Sequence, residues 1–276
     1  MSEYSEYIDS LSVRDMLPYL SNKELSERII IYDSLESTNK TAKEMAIYGA
    51  EHGTVIITDS QSAGRGRYSR SFFSPPGCGI YMSFIIDTAR LSRLVDPTLV
   101  TALAAVSVCK AIEKITDKTP QIKWVNDIIL DNKKICGILA EAVTNSKSGN
   151  IEWIVIGIGI NFVEPELGYP IEIKQSAGAL FTEVRPEITR NRMIAEVINQ
   201  IMLSDDQYDI DTLLIEYKKR LITLGKKVLV TEANESYEAI AIDIDDFARL
   251  IVKKDDGNLH SLSAGEVSLN RGNNIE

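Results

Sequence analysis

The chain has 276 residues, with 40 acidic against 30 basic side chains and a net charge of −10. That length supports a sizeable buried core, and that charge argues against a protein whose whole surface tracks nucleic acid. No apolar run reaches the roughly 20 residues of a membrane-crossing helix, and the polar, acidic start does not read as a signal peptide. Cys78, Cys109 and Cys136 lie in apolar surroundings and read as reduced core thiols of a cytoplasmic protein. His52 and His260 are too few for a structural zinc site and lack the neighbours of a Ser-His-Asp triad.

In chain order, residues 1–28 are polar with scattered leucines and predict one or two short helices. A strand is expected at 29–32. Ser37 or Thr38 suits the cap of a helix over 39–48. A buried strand follows at 54–58, with Gln61 just beyond it. Gly64-Arg65-Gly66-Arg67-Tyr68-Ser69-Arg70 then concentrates three arginines and two glycines in seven residues of an acidic chain. Glycine lets a backbone turn or approach a ligand closely. Arginine offers planar, paired donors for carboxylate or phosphate. The simple reading is a mobile loop that closes on a small anion; the bland alternative is a solvated Arg/Gly turn.

Ser74-Pro75-Pro76-Gly77 turns into a strand at 80–86. Asp96 as N-cap and Pro97 at the first helical position open a long apolar helix to about residue 115. Strand pieces follow at 121–124 and 127–131, a tight turn at Asp131-Asn132-Lys133, and strands at 134–143 and 152–160. Gly157-Ile158-Gly159-Ile160-Asn161 lacks the third, helix-opening glycine of a dinucleotide fingerprint. A loop with helical turns spans 162–186, and helices are expected at 189–203 and 209–221. Gly225 marks a boundary. Beyond it, strands at 227–231, 238–243, 250–253 and 267–269 alternate with polar turns, including the hairpin signal Asp255-Asp256-Gly257-Asn258. This is the pattern of a small β-barrel.

Several of these pieces occur in a telling order: Ser37-Thr38-Asn39, Gln61, the 64–70 loop, Lys123-Trp124-Val125-Asn126-Asp127, Lys134-Ile135-Cys136-Gly137-Ile138-Leu139, and the run ending at Asn161. Together they resemble the biotin–protein ligase family, whose pattern reads STN, Q-x-x-GRGR-x-x-R-x-W-x-S-P-x-G, KWPND, K-x-x-GIL and G-x-GIN. The resemblance runs from about residue 37 to 269. It implies an α+β fold: a mixed β-sheet flanked by helices, like the catalytic domain of class II aminoacyl-tRNA synthetases, plus a small SH3-like β-barrel at the C-terminus. The expected division is an N-terminal extension at 1–28, a catalytic biotin/ATP-binding domain at 29–224 and the barrel at 225–276. Residues 1–28 look too short and acidic for the helix-turn-helix domain that some members carry.

The resemblance implies a two-step reaction. Biotin and ATP give biotinyl-5′-AMP and pyrophosphate, with Mg²⁺ on the phosphates. A lysine of a biotin carboxyl carrier protein, or of a carboxylase carrier domain, then takes the biotin. No DNA or membrane partner is expected, and the enzyme is a monomer or a homodimer. Ser37, Thr38, Asn39 and Gln61 would orient the biotin head; the bland reading of the first three is a helix cap. Gly64, Arg65, Gly66 and Arg67 would order over biotin and the adenylate, and Gly137 would allow close approach. Arg67 and Lys123 would stabilise charge on the α-phosphate, and Lys134 would hold the biotin carboxylate or the new ester. Asp127 would position metal or the incoming lysine, though it also suits a turn cap. Arg70, Phe72, Asn126 and Asn161 would meet the nucleotide. No protein metal ligand is assigned. Phe72 replaces the family's Trp, Val125 its Pro, and Asn270 an Arg found in some members, with Arg271 next. Two rivals stand beside this reading: a lipoate-type protein ligase and a non-catalytic nucleic-acid-binding regulator.

Overall fold

The structure, a computed structural model, describes residues 9–90, 96–144, 148–182, 186–202, 209–232, 235–263 and 265–269. The departure at Asn270 and the Arg271 after it lie outside the described residues, as do residues 1–8 of the N-terminal extension. Helix α1 (Val13–Met16) and two 3-10 turns (Leu17–Tyr19, Lys23–Arg28) lead into β1 (Ile29–Leu35), α2 (Thr38–Ile47), β2 (Thr54–Gln61) and β3 (Gly79–Asp87). Then come α3 (Pro97–Ile115), β4 (Gln121–Lys123), β5 (Asp127–Leu130), β6 (Lys133–Thr144) and β7 (Ile151–Asn161). Helices α4 (Arg190–Met202) and α5 (Ile210–Arg220) precede β8 (Lys227–Glu232), β9 (Glu235–Ile244), β10 (Leu250–Lys254), β11 (Leu259–Leu262) and β12 (Glu266–Leu269).

The first seven strands form one mixed sheet in the order β1-β2-β3-β7-β6-β5-β4, parallel only between β1 and β2. The other five form an antiparallel sheet in the order β11-β10-β9-β8-β12. The expected α+β fold with a second, C-terminal β-domain is therefore borne out. Strand β11 was not expected: of its four residues only Leu262 is buried, which leaves little hydrophobic pattern to read.

Successive side chains of a strand point to opposite faces, and the large sheet uses the two faces differently. Ile80, Met82, Phe84, Cys136, Ile138, Ile156, Ile158 and Ile160 join the main core with α3 and α4. On the opposite face, Ile56, Ile85, Val143 and Val155 meet Ala42 and Ala46 of α2 in a smaller cluster. Helix α3 carries the caps read from its sequence: Pro97 is its first residue and Asp96 accepts from Thr98 N at 2.8 Å. Ser37 does occupy the N-cap of α2, but its side chain makes no cap hydrogen bond. Burial pushes the Cys78 thiol up to about 11, and those of Cys109 and Cys136 upward as well. All three fit inert core thiols.

The second sheet shares the main core through Val228, Val230, Ala241, Leu250 and Val252. Trp124 Nε1 donates to Ala248 O at 3.0 Å, and Arg249 Nη2 lies 3.1 Å from Asp96 Oδ2. Residues 9–28 are tied to α4 by two buried asparagines. Asn191 bonds Ser12 N and Ser10 O, and Asn199 bonds Ser21 N and Tyr19 O.

Arg190, at the start of α4, is 1% exposed. Its guanidinium meets Asp9 at 2.6 Å, Asp59 at 2.6 Å, Gly79 O at 3.1 Å and Asp9 O at 2.8 Å. Removing one partner of a buried ion pair leaves the other charges uncompensated, at a cost of about 3–5 kcal/mol. Arg190→Met should therefore lower the urea midpoint by a corresponding amount with little change in the m-value. A midpoint within error of wild type would mean that the cluster contributes nothing net.

Candidate active site

A cleft of about 810 Å³ opens on the α2 face of the large sheet, beyond the first turn of that helix. Its floor follows from strand alternation. Gly137 pairs with Gly159 and Leu139 with Gly157, so the β6–β7 ladder carries almost no side chain there. The intervening Ile138 and Ile158 pack into the core. Glycine inside a strand marks close approach by another group, and the space above these three is in use. A Cβ on Gly157 would sit 2.1 Å from Asn39 Oδ1, and one on Gly159 would sit 2.5 Å from the Phe72 ring. One on Gly137 would lie 3.1 Å from the same ring and 3.2 Å from Lys134 Nζ.

One end of the cleft is a neutral polar cluster. Thr38 N donates to Gln61 Oε1 at 2.9 Å, with the Thr38 hydroxyl 3.2 Å from the same oxygen. Gln61 Nε2 donates to Ser74 Oγ at 2.9 Å. Ser83 Oγ lies 2.8 Å from Thr38 Oγ1 and 2.7 Å from Asn39 Oδ1. Ser37, Thr38 and Asn39 are all buried and all line the cleft.

The other end is charged. Lys134 Nζ lies 2.6 Å from Asp127 Oδ1. Arg67 Nη1 reaches Asn126 Oδ1 at 3.4 Å, and Asn126 Nδ2 donates to Ile138 O at 2.9 Å. Lys123 lines the same wall.

The arginine loop forms a closed hairpin. Arg65 bridges Ser71, Gly66 N donates to Arg70 O at 2.7 Å, and Tyr68 and Ser69 turn the tip at φ 54° and 59°. It rests on the C-terminal domain. Gly265 N donates to Tyr68 Oη at 2.6 Å, Arg67 Nη2 donates to Gly265 O at 3.3 Å, and Arg70 forms a two-pronged pair with Glu266. Those hydrogen bonds from Arg70 hold the Glu266 carboxyl below its usual range.

The cleft gathers Ser37, Thr38, Asn39, Gln61, Arg65, Gly66, Arg67, Arg70, Phe72, Lys123, Asn126, Asp127, Lys134 and Gly137. Two expected residues stand apart from its lining. Gly64 lies at the loop base, where its carbonyl accepts from Phe72 N at 2.8 Å. Asn161 fastens the end of β7 by donating to Gly178 O at 2.9 Å. Sequence reading missed Ser83 and Glu141, single polar residues in strands with no local pattern. It also gave no role to Gly265 and Glu266.

Two family descriptions match this chain: the biotin/lipoate A/B protein ligase family over residues 31–161 and the biotin protein ligase C-terminal domain over residues 223–270. The bifunctional ligase/repressor BirA of Bacillus subtilis is 31% identical over 246 residues, covering 86% of this chain and 73% of that protein. The chain belongs to the biotin–protein ligase family. The biotin–[acetyl-CoA-carboxylase] ligase of Mycobacterium tuberculosis is 26% identical, covering 94% of this chain and 95% of that one. The fold is shared with the biotin protein ligase of Aquifex aeolicus, solved in complex with biotin and ATP. The TM-score is 0.73 at 24% identity, covering 87% of this chain and 97% of that one.

The glycine floor makes a sharp prediction. In Gly157→Ala the new methyl meets an amide held on both sides, and in Gly159→Ala it meets a ring that can swing away. Overpacking of this kind costs about 1–3 kcal/mol. Both should weaken biotin-dependent activity at least tenfold, and adding Phe72→Ala should restore folding stability to Gly159→Ala but not to Gly157→Ala. Thermal melts of the four variants check this; equal rescue of both would contradict the geometry.

Proposed function

We propose that the two ends of this cleft divide the work of an ATP-dependent biotin–protein ligase. The supporting observation is the pairing, over one glycine floor, of a neutral hydrogen-bonding cluster with a cationic wall, in a chain of this family. Ser37, Thr38, Asn39 and Gln61 take the ureido ring. Once the Phe72 ring swings off Gly137 and Gly159, the valeryl chain runs over these glycines toward Lys134, which holds the carboxylate. Arg67 and Lys123 face the α-phosphate, and Phe72 offers its ring to adenine.

In the first step the biotin carboxylate oxygen attacks the α-phosphorus, the bond to the β-phosphate oxygen breaks, and pyrophosphate leaves. Two anions must meet, so fixed cations that need no reorganisation carry much of the catalysis. In the second step a neutral lysine amine attacks the acyl carbon, the bond to the phosphate oxygen breaks, and AMP leaves while the amine loses a proton. A free lysine has a pKa near 10.4. Asp127 is the carboxylate placed to position the incoming ammonium, once Lys134 turns to the substrate. Closure of the arginine loop shields the mixed anhydride from water.

Among the described residues no three acidic, histidine or cysteine groups cluster as a metal cage. That donor set fits Mg²⁺ carried in on the nucleotide phosphates; Asp127, which lines the cleft, would help hold it, and the ion would supply charge neutralisation. The acceptor is a carrier protein or carrier domain of a biotin-dependent carboxylase, and the compartment is the cytoplasm. Among the described residues no helix is long and apolar enough to cross a membrane. Residues 29–224 carry the chemistry, the described residues between 225 and 269 close over it and residues 9–28 brace α4.

Pyrophosphate exchange into ATP, with Mg²⁺ and with biotin or lipoate, tests this reading. Exchange should require biotin. Losing one preorganised donor to developing charge costs about 10²–10³-fold, so Arg67→Ala and Lys134→Ala should each lose about that much exchange with unchanged melting temperatures. Exchange supported only by lipoate would overturn the substrate, and folded protein without any exchange would overturn the reaction.

A further inference from the structure

Asn39 lines the cleft yet is only 4% exposed, and its carboxamide is fixed from both ends. Its Nδ2 donates to Glu141 Oε2 at 2.8 Å and to Leu139 O at 3.2 Å. A primary amide has two N–H donors, so both are occupied. Its Oδ1 lies 2.7 Å from the Ser83 hydroxyl and directly above Gly157. An ionised carboxylate only accepts, so Glu141 tolerates the amide in one orientation. A flip would set the amide oxygen against the Glu141 carboxylate and the Leu139 carbonyl together.

Lys43, one turn further along α2, holds the other Glu141 oxygen at 2.6 Å. Burial works to raise the Glu141 pKa, but hydrogen bonds from Lys43 and Asn39, with the Lys43 charge, more than offset it. The carboxyl titrates below its ordinary range. It therefore stays ionised through neutral pH.

Ser83 has one proton to share between Thr38 Oγ1 and Asn39 Oδ1. Whichever oxygen receives it, the other keeps lone pairs that this serine does not fill. Gln61 Oε1 already accepts from Thr38 N. The Thr38 and Asn39 oxygens at this end of the cleft can thus take a further donor.

We propose that Glu141, braced by Lys43, is a positioning residue that locks Asn39 as an acceptor toward the cleft and so selects acids whose ring end carries N–H donors. This rests on the ligase reading above and refines its substrate choice. A ureido ring supplies two N–H groups; a dithiolane ring supplies none. A site built to receive a donor discriminates strongly against an analogue that lacks it, because its own polar groups are then left unpaired.

The test uses the full chain and pyrophosphate exchange, with biotin and with its cyclic carbamate analogue, in which oxygen replaces one ureido N–H at nearly constant shape. In wild type the analogue should raise KM by about 100-fold. Glu141→Gln, whose amide no longer dictates the orientation of its neighbour, should raise KM for biotin by about tenfold while kcat stays within twofold. It should also narrow the gap between biotin and the analogue. Lys43→Gln, on the exposed side of the pair, should do the same more weakly and serves if Glu141→Gln fails to fold. Equal wild-type KM values for biotin and the analogue would overturn the proposal without any variant. So would a Glu141→Gln enzyme with unchanged KM, or one that loses only kcat; these results leave the ligase reading standing. Absence of biotin-dependent exchange in wild type would remove both.

Discussion

Strand alternation along β6 and β7 is the constraint on which the rest of the molecule depends. The same few residues must seal a core and leave a floor bare. Isoleucines on one face supply the burial that holds α3 and α4 against the sheet. Gly137, Gly157 and Gly159 on the other face remove most side chains where the cleft runs, leaving Leu139 in its lining. A shift of one residue in register would exchange the two faces, placing isoleucine in the cleft and glycine in the core. Packing and function are therefore set by one pairing, and the long β3–β7–β6 ladder keeps that pairing from slipping.

The arginine loop obeys a weaker constraint. Its contacts with the C-terminal domain are largely exposed, with Arg70 64% and Glu266 38% accessible. Ion pairs of that kind contribute about 0–1 kcal/mol. Arg67 likewise rests on neutral groups, with hydrogen bonds to Asn126 Oδ1 at 3.4 Å, Gly265 O at 3.3 Å and Tyr68 Oη at 3.0 Å. Such partners hold a cation in place without satisfying it, and an entering phosphate displaces them at little cost. By contrast, Arg190 is buried among its carboxylate partners and joins parts of the chain some 181 residues apart, so it acts as scaffold.

Much of the fold was legible because its signals are local. Asp96 and Pro97 announce α3, and the αL pair Asp131 and Asn132 builds the β5–β6 turn at φ 50° and 61°. The motifs of the cleft also come together in space, since they sit at strand ends and helix starts that converge. What escaped was long-range. Nothing near Arg190 indicates that Asp9 and Asp59 will meet it, and nothing near Glu141 indicates that an asparagine about a hundred residues earlier needs it. Gly64 and Asn161 stand apart from the cleft lining for a related reason. Their neighbours in sequence line the cleft, but alternation and the turn of the loop point them elsewhere.

Biotin and lipoate ligation share one activation chemistry, a carboxylate attacking an α-phosphate, so the cationic wall cannot distinguish their substrates. Lys123, Lys134 and Arg67 would serve either acid. Discrimination has to come from the other end of the cleft, where no charge is transferred and where only hydrogen-bond polarity and shape differ. That end is built from neutral groups whose directions are set by their surroundings: Gln61 by Ser74, Thr38 by Ser83, Asn39 by Glu141. A neutral amide is indifferent to orientation until a neighbour removes the choice. An ion placed behind it, outside the cleft, does so without putting a charge where the uncharged ring of the substrate must lie.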